Sequence, residues 1–279
     1  MYYPQPPFDF TNGSPDFDSE INRNTDQARG LTGIVIAQPA PNALLWKPQL
    51  NYSALSTVGG TFYNPIGLIG VAGAAFATAD SADYAFTSGS YTQLAWTYVL
   101  ALPGAGEYPS IAERANYVSE SDNQGWTLTI TASNDPTPNQ IRSQTFSNNN
   151  ANFYALSTGV TAVANMLYMV AHTSNGTTRR IYLNGIERAN SSSNPNPASA
   201  SAALNVGQDL TTARIKTLRV LFYDRALSAH EIWQHYQQGT RDELFYPIGQ
   251  RVITASRALS QFPPINKLRP AIFKPGLAR

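Results

Sequence analysis

The sequence contains no cysteine. That excludes a disulfide framework and every thiolate metal site, leaves stability to packing alone, and suits assembly in a reducing cytosol. Charge is also scarce: Asp, Glu, Lys and Arg together supply 13% of the 279 residues. With 11% aromatic residues, 19 glycines, 19 prolines and long runs of Ser, Thr and Asn, the composition favours an all-β fold with many turns over a helical one. The opening "MYYPQPPFDF" lacks the basic region and apolar stretch of a secretory signal. Without one, the Asn-x-Thr sequon at Asn175 carries little weight. Long hydrophobic runs are missing as well. The most apolar, "IGLIGVAGAAFATA" (66–79), is too short and too rich in Gly and Ala to span a bilayer, and it reads as a buried strand pair with tight turns.

A chain of this length can bury a sizeable core as one β-domain. The net charge of +1 hides an asymmetry. Residues 244–279 carry Arg251, Arg257, Lys267, Arg269, Lys274 and Arg279, whereas all 18 acidic residues precede them. The chain thus divides into an acidic, Pro-containing arm (1–30), a body (31–243) and a basic, Pro-rich arm (244–279).

Strand signals fill the body. "YTQLAWTYVLAL" (91–102) is an apolar run between Gly89 and Pro103-Gly104. "GWTLTITAS" (125–133) alternates Trp126, Leu128 and Ile130 with Thr127, Thr129 and Thr131, which predicts one face in the core. Asn175-Gly176 and Asn184-Gly185 each separate β-prone runs and predict two successive hairpins with two-residue primed turns. "NSSSNPNPASASA" (190–202) reads as an exposed polar loop, and "ALNVGQ" and "RIKTLRVLFYD" supply two more strands.

"DRALSAHEIWQH" (224–235) holds a His-Glu pair and a second histidine. A zinc hydrolase needs His-Glu-x-x-His, with both histidines on one helix face. His230 and His235 are five apart, about 140° around a helix, so the zinc reading fails and surface histidines are expected. The capping reading works: Ser228 as N-cap and Glu231 three residues on form a capping box, and Leu227 and Ile232 form a hydrophobic staple. Ile232, Trp233 and Tyr236 supply an inward stripe, and Gly239 a stop.

"RRIYLNGIERA", "LNVGQ" and "IKTLRVLFYDRALSAHEI" together resemble the C-terminal half of laminin-G-like, concanavalin-type jelly rolls. "SYTQLAWTYV" is similar to that family's earlier Trp-bearing strand, which places Trp96. The likeness covers about residues 40–240 and is most specific in the last seventy. It implies a jelly-roll β-sandwich with one short C-terminal capping helix and extended terminal arms. "RDELFYPIGQRVI" is similar to the ending of laminin-G-like proteins of tailed bacteriophages, which implies a virion protein assembled in the host cytoplasm.

Other chemistry is thinly supported. Glycoside hydrolases on this fold carry Glu-x-Asp-x-x-Glu on one strand; here Glu120-Ser121-Asp122 is followed by Gly125 in the third acid's place. Gly67, Gly70 and Gly73 do not have phosphate-loop spacing. Asp80 and Asp83 are candidate calcium ligands, but calcium wants six or more oxygens. The basic residues are too dispersed for a nucleic-acid patch; with Phe262 and Phe273 they suit an extended arm lying on an acidic neighbour. The expectation is therefore a non-enzymatic virion structural protein without cofactor, a head decoration or minor capsid protein held by its arms to other virion proteins. No nucleic-acid or membrane partner is expected, and homo-oligomerisation stays open. The alternative is a carbohydrate-binding adhesion module on the tail or fibre, directed at a cell-surface glycan; the third reading is a glycan-cleaving enzyme.

Overall fold

The computed structural model describes residues 26–37, 84–117, 123–146, 153–192, 196–198, 200–208 and 214–239. It also describes short strand segments at 19–21, 43–47, 50–54, 56–58, 62–64, 67–69, 75–78 and 245–247. Among these residues two antiparallel sheets face each other. One holds eight strands in the order Ile186–Ser191, Arg179–Leu183, Met166–Ser174, Tyr91–Ala101, Arg214–Tyr223, Leu31–Ala37, Ala43–Lys47 and Leu50–Ala54. The other holds seven: Phe153–Thr161, Gln140–Phe146, Asn123–Ile130, Ser110–Tyr117, Leu204–Val206, Ala75–Thr78 and Ser56–Val58. The architecture is a jelly-roll sandwich.

Successive strand residues point to opposite faces, and this periodicity builds two apolar layers from one set of strands. Ala95, Val99, Val170, Val220 and Phe222 face the second sheet and meet Ile111, Trp126, Leu128 and Ile130. The Trp126 indole N–H donates to the Tyr84 carbonyl at 2.8 Å, so its burial leaves no unpaired donor. Leu94, Trp96, Leu167, Met169 and Leu221 point the other way, into a layer closed by Leu227, Ile232 and Tyr236. Trp96 stacks on Tyr236 at 6.2 Å with an interplanar angle of 10°. The central strands are therefore buried on both faces, which is why "YTQLAWTYVL" shows a run rather than an alternation.

The closing helix spans Ala229–Gln238. Ser228 is its N-cap: Ser228 Oγ accepts from the Glu231 N–H, and the Glu231 side chain accepts from the Ser228 N–H, completing the capping box. Gly239 ends it at φ 64°, donating to the carbonyls of His235 and Tyr236. Two expectations for this helix are corrected. Trp233 is 38% exposed and covers the Asn184-Gly185 turn instead of entering the core. His235 is fully buried, because it lies one turn beyond Ile232 on the sheet-facing side, where the Tyr223 hydroxyl meets Nε2 at 3.1 Å.

Both hairpins exist, with different turns. Asn184 (φ 52°) and Gly185 (φ 77°) form a two-residue connection with Leu183 opposite Ile186. The other loop has four residues, since Ser174 pairs with Arg179, and the expected two-residue turn is corrected. Asn175 Oδ1 accepts from the N–H groups of Thr177 and Thr178, and this side-chain turn replaces the primed one. Residues 125–133 alternate as expected, with Trp126, Leu128 and Ile130 in the core, and the opposite threonine face is sheltered as well. Thr127, Thr129 and Thr131 are buried, with Thr129 donating to the Pro109 carbonyl at 2.7 Å and Thr131 to that of Thr137.

Residues 26–30, assigned from the sequence to the first arm, are tied to the domain. Arg225 donates to the carbonyls of Arg29 (2.7 Å) and Asp26 (3.1 Å) while pairing with Glu231 at 2.8 Å. The "DRALS" segment thus joins the chain's entry to the helix cap. Ser19–Ile21 pairs with Phe245–Pro247, so pieces of the two arms form a small ribbon. Asp80, Asp83 and the arm residues Arg251, Arg257, Phe262, Lys267, Arg269, Phe273, Lys274 and Arg279 lie outside the described residues, as do Glu120, Ser121 and Asp122.

Candidate functional site

The helix packs on the outer face of the eight-stranded sheet. The outer face of the seven-stranded sheet is polar and sheltered, and strand register decides what it carries. Glu113 stands between Asn205 and Thr127, Thr127 opposite Gln144, and Gln144 opposite Ala155. One step along, Thr129, Arg142 and Ser157 share a second row. Opposed residues share a face, so three strands, with the threonines of a fourth between them, deliver Glu113, Arg142, Gln144 and Ser157 to one surface. Their neighbours Trp126, Leu128 and Ile141 point into the core.

Two loops raise this surface into a groove of about 840 Å³, within the range of small-molecule sites (about 300–1,000 Å³). Gly106 and Tyr108 form one wall and Asp135–Thr137 another. Asp135 organises the rim. Its Oδ1 accepts from the N–H and the hydroxyl of Thr137, both at 2.9 Å. Its Oδ2 accepts from the Tyr108 hydroxyl at 3.1 Å and from Arg142 at 3.0 Å. Burial alone would raise the Asp135 pKa, but the Thr137 hydrogen bonds, the Arg142 charge and the Tyr108 hydroxyl outweigh it and hold the carboxyl below its usual range. Burial and the Asp135 hydrogen bond raise the Tyr108 phenol.

Tyr108 is 41% exposed. Its hydroxyl is fixed by Asp135, and the Arg142 guanidinium lies 5.5 Å from its ring centroid. It is an aromatic surface held in place from its polar end, ready for a ligand with apolar C–H faces. On the floor, Glu113 accepts from Ser110 Oγ at 2.6 Å and from Asn205 Nδ2 at 3.3 Å. Gln144, Ser157 and Gln208 add groups that both donate and accept. An aromatic platform beside a mixed set of amides, hydroxyls and carboxylates suits a polyhydroxylated ligand.

Sequence reasoning missed every one of these groove residues. The local signals existed: Asn134-Asp135-Pro136 is a turn signature, and Arg142 and Gln144 alternate with apolar or small residues. Neither tells which strands become neighbours, and the site consists of that neighbourhood. The residues singled out from the sequence are elsewhere. Trp96, Asn184, Gly185, Ser228, Glu231 and Trp233 build the helix and its bed on the opposite side. His230 is exposed while His235 is buried, and among the described residues no group of three or more metal-ligating side chains assembles. No helix among them is long and apolar enough to cross a membrane.

A laminin-G-like family model, described as the concanavalin A-like lectin/glucanases superfamily, matches residues 72–233. No curated protein matches the chain significantly. Among solved structures, the binding domain of Paraclostridial Mosquitocidal Protein 1 is similar at a TM-score of 0.53 and 11% identity, over 74% of this chain and 52% of that one. The binding domain of Botulinum neurotoxin DC, solved in complex with SialylT, aligns at 0.56 and 11%, over 75% and 51%. Trypanosoma rangeli sialidase, bound to a difluorinated sugar acid, aligns at 0.54 and 16%, over 75% and 32%. The chain spans about half the length of the toxin domains and a third of the sialidase. At such identities the likeness is one of fold.

Proposed function

Because the chain belongs to the concanavalin A-like lectin/glucanases superfamily, we propose that it is a carbohydrate-binding module that holds glycans in the groove of the seven-stranded sheet without cleaving them. One observation carries this reading: Tyr108, exposed and pinned by Asp135 and Arg142, stands over a floor of amides, hydroxyls and carboxylates in a groove of about 840 Å³. Sugar rings present C–H faces to an aromatic surface and hydroxyls to such a floor. The structural neighbours solved with SialylT and with a sugar acid support the same reading.

The absence of cleavage is part of the proposal. A glycosidase needs one carboxyl kept protonated as general acid, with a raised pKa. Asp135 is pushed the other way and is committed to Thr137, Tyr108 and Arg142, and the groove's other carboxylate, Glu113, is taken up in accepting from Ser110 and Asn205. Of the virion roles that the chain's ending implies, an adhesion module on a tail or fibre is the one such a groove serves. A capsid-clamping role would rest on the terminal arms, 1–30 and 244–279, most of which lies outside the described residues.

Glycan-array binding of the full chain, followed by calorimetry, tests the proposal. Binding is expected, and Tyr108→Ala should weaken it by about fivefold, the scale of one aromatic contact of about 1 kcal/mol. An array with no bound glycan overturns the reading. Release of new reducing ends from a bound polysaccharide overturns its non-enzymatic part.

A further inference from the structure

Arg142 is the sole cation among the described residues lining the groove, against two carboxylates, Glu113 and Asp135. It is already engaged. Its Nη1 lies 3.0 Å from Asp135 Oδ2, its guanidinium packs beside the Tyr108 ring, and the two charged side chains are only 10% and 5% exposed. Such shelter strengthens the pairing, because little water screens it.

We propose that Asp135 sets the specificity of the groove by occupying Arg142, so that uncharged sugars are accepted and sugars bearing a carboxylate or sulfate are turned away. An anionic sugar would find no other groove-lining cation among the described residues, would have to share Arg142 with Asp135, and would approach two fixed carboxylates. A neutral sugar meets none of these obstacles: its hydroxyls can donate to the carboxylate lone pairs and accept from Gln144 and Ser157. The selection works by repulsion and by the engagement of the one guanidinium suited to bidentate carboxylate binding. It also separates this chain from the neighbours solved with acidic sugars, which share its fold at 16% identity or less. The inference rests on the groove being the glycan site.

The same geometry names the variant. In Asp135→Asn the side-chain oxygen can still accept from the Thr137 N–H and hydroxyl, which keeps the turn. An amide NH₂ replaces Oδ2, so Arg142 loses its anion. The experiment uses the full chain and a panel of matched oligosaccharide pairs, each neutral glycan beside its sialylated or glucuronylated form. The readout is the affinity ratio within each pair, with the thermal midpoint recorded for every variant. The wild type should favour the neutral member by about tenfold or more, the scale of one hydrogen bond to a charged group. Asp135→Asn should shrink that ratio by about tenfold, and adding Arg142→Gln should abolish the shift. Equal binding of both members by the wild type, or an unchanged ratio in a folded Asp135→Asn protein, overturns the inference while leaving the groove a glycan site. Binding to no member of any pair overturns the glycan reading itself, and this inference with it.

Discussion

Gly185 is where the hairpin and the closing helix meet, and replacing it measures that contact. Gly185 sits at φ +77°, and a Cβ there would lie 2.6 Å from Trp233 Cε3 and 3.0 Å from Tyr236 Cβ. Gly176 in the neighbouring hairpin has a similar φ of +88°, but a Cβ there would meet nothing within 4 Å. Gly176→Ala should therefore report backbone strain alone, about 1–2 kcal/mol for a left-handed residue with a Cβ. Gly185→Ala adds overpacking, about 1–3 kcal/mol. The upper part of that range is discounted, because the half-exposed Trp233 ring can swing outward; the Tyr236 Cβ, on the helix backbone, cannot. The expected loss is about 2–4 kcal/mol, a large share of a typical stability of about 5–15 kcal/mol. Urea unfolding followed by far-ultraviolet circular dichroism measures both variants. Trp233→Ala should also recover part of the Gly185→Ala loss, a non-additivity expected of touching residues. Equal costs at the two glycines, or full additivity with Trp233→Ala, would refute the packing of the helix on this turn.

Stability should fall with acid below the ordinary histidine range. Burial, then the Arg179 charge, pushes His172 down to about 3, and burial, then the charges of Arg219 and Arg225, does the same to His235 against the opposing pull of Glu231. Between about pH 6.5 and 3 the unfolded chain binds protons that the native state refuses. Stability is therefore fully present above that window and is lost through it at up to about 1.4 kcal/mol per pH unit for each histidine. Thermal midpoints across pH should flatten in His172→Gln; an unchanged slope contradicts the buried, neutral histidine. Ser228→Ala should cost about 1 kcal/mol by removing the helix cap, and a denaturation midpoint indistinguishable from wild type would show the cap to be dispensable.

Local sequence signals revealed the scaffold and missed the site for one reason. A capping box, an Asn-Gly turn and an apolar run are complete within a dozen residues, so Ser228, Gly185 and residues 91–102 were legible. Trp233 and His235 were misplaced because a helical stripe has a width: whether its edge meets sheet or solvent depends on where the Asn184-Gly185 turn lies. The alternation of 125–133 places one face in the core but does not say that the second, threonine face is sheltered as well. Glu113, Asp135, Arg142 and Ser157 lie on different strands or loops, and only the sheet register places them in one groove.

The central claim is that glycans bind on the outer face of the seven-stranded sheet. A crystal structure of the full chain with the tightest-binding neutral oligosaccharide from the array tests it most directly. The account predicts a sugar ring stacked on Tyr108, with hydroxyls bonded to Gln144, Ser157 or Glu113 and the Asp135–Arg142 pair intact. A sugar bound beside the closing helix, or at another surface with the groove empty, would contradict it.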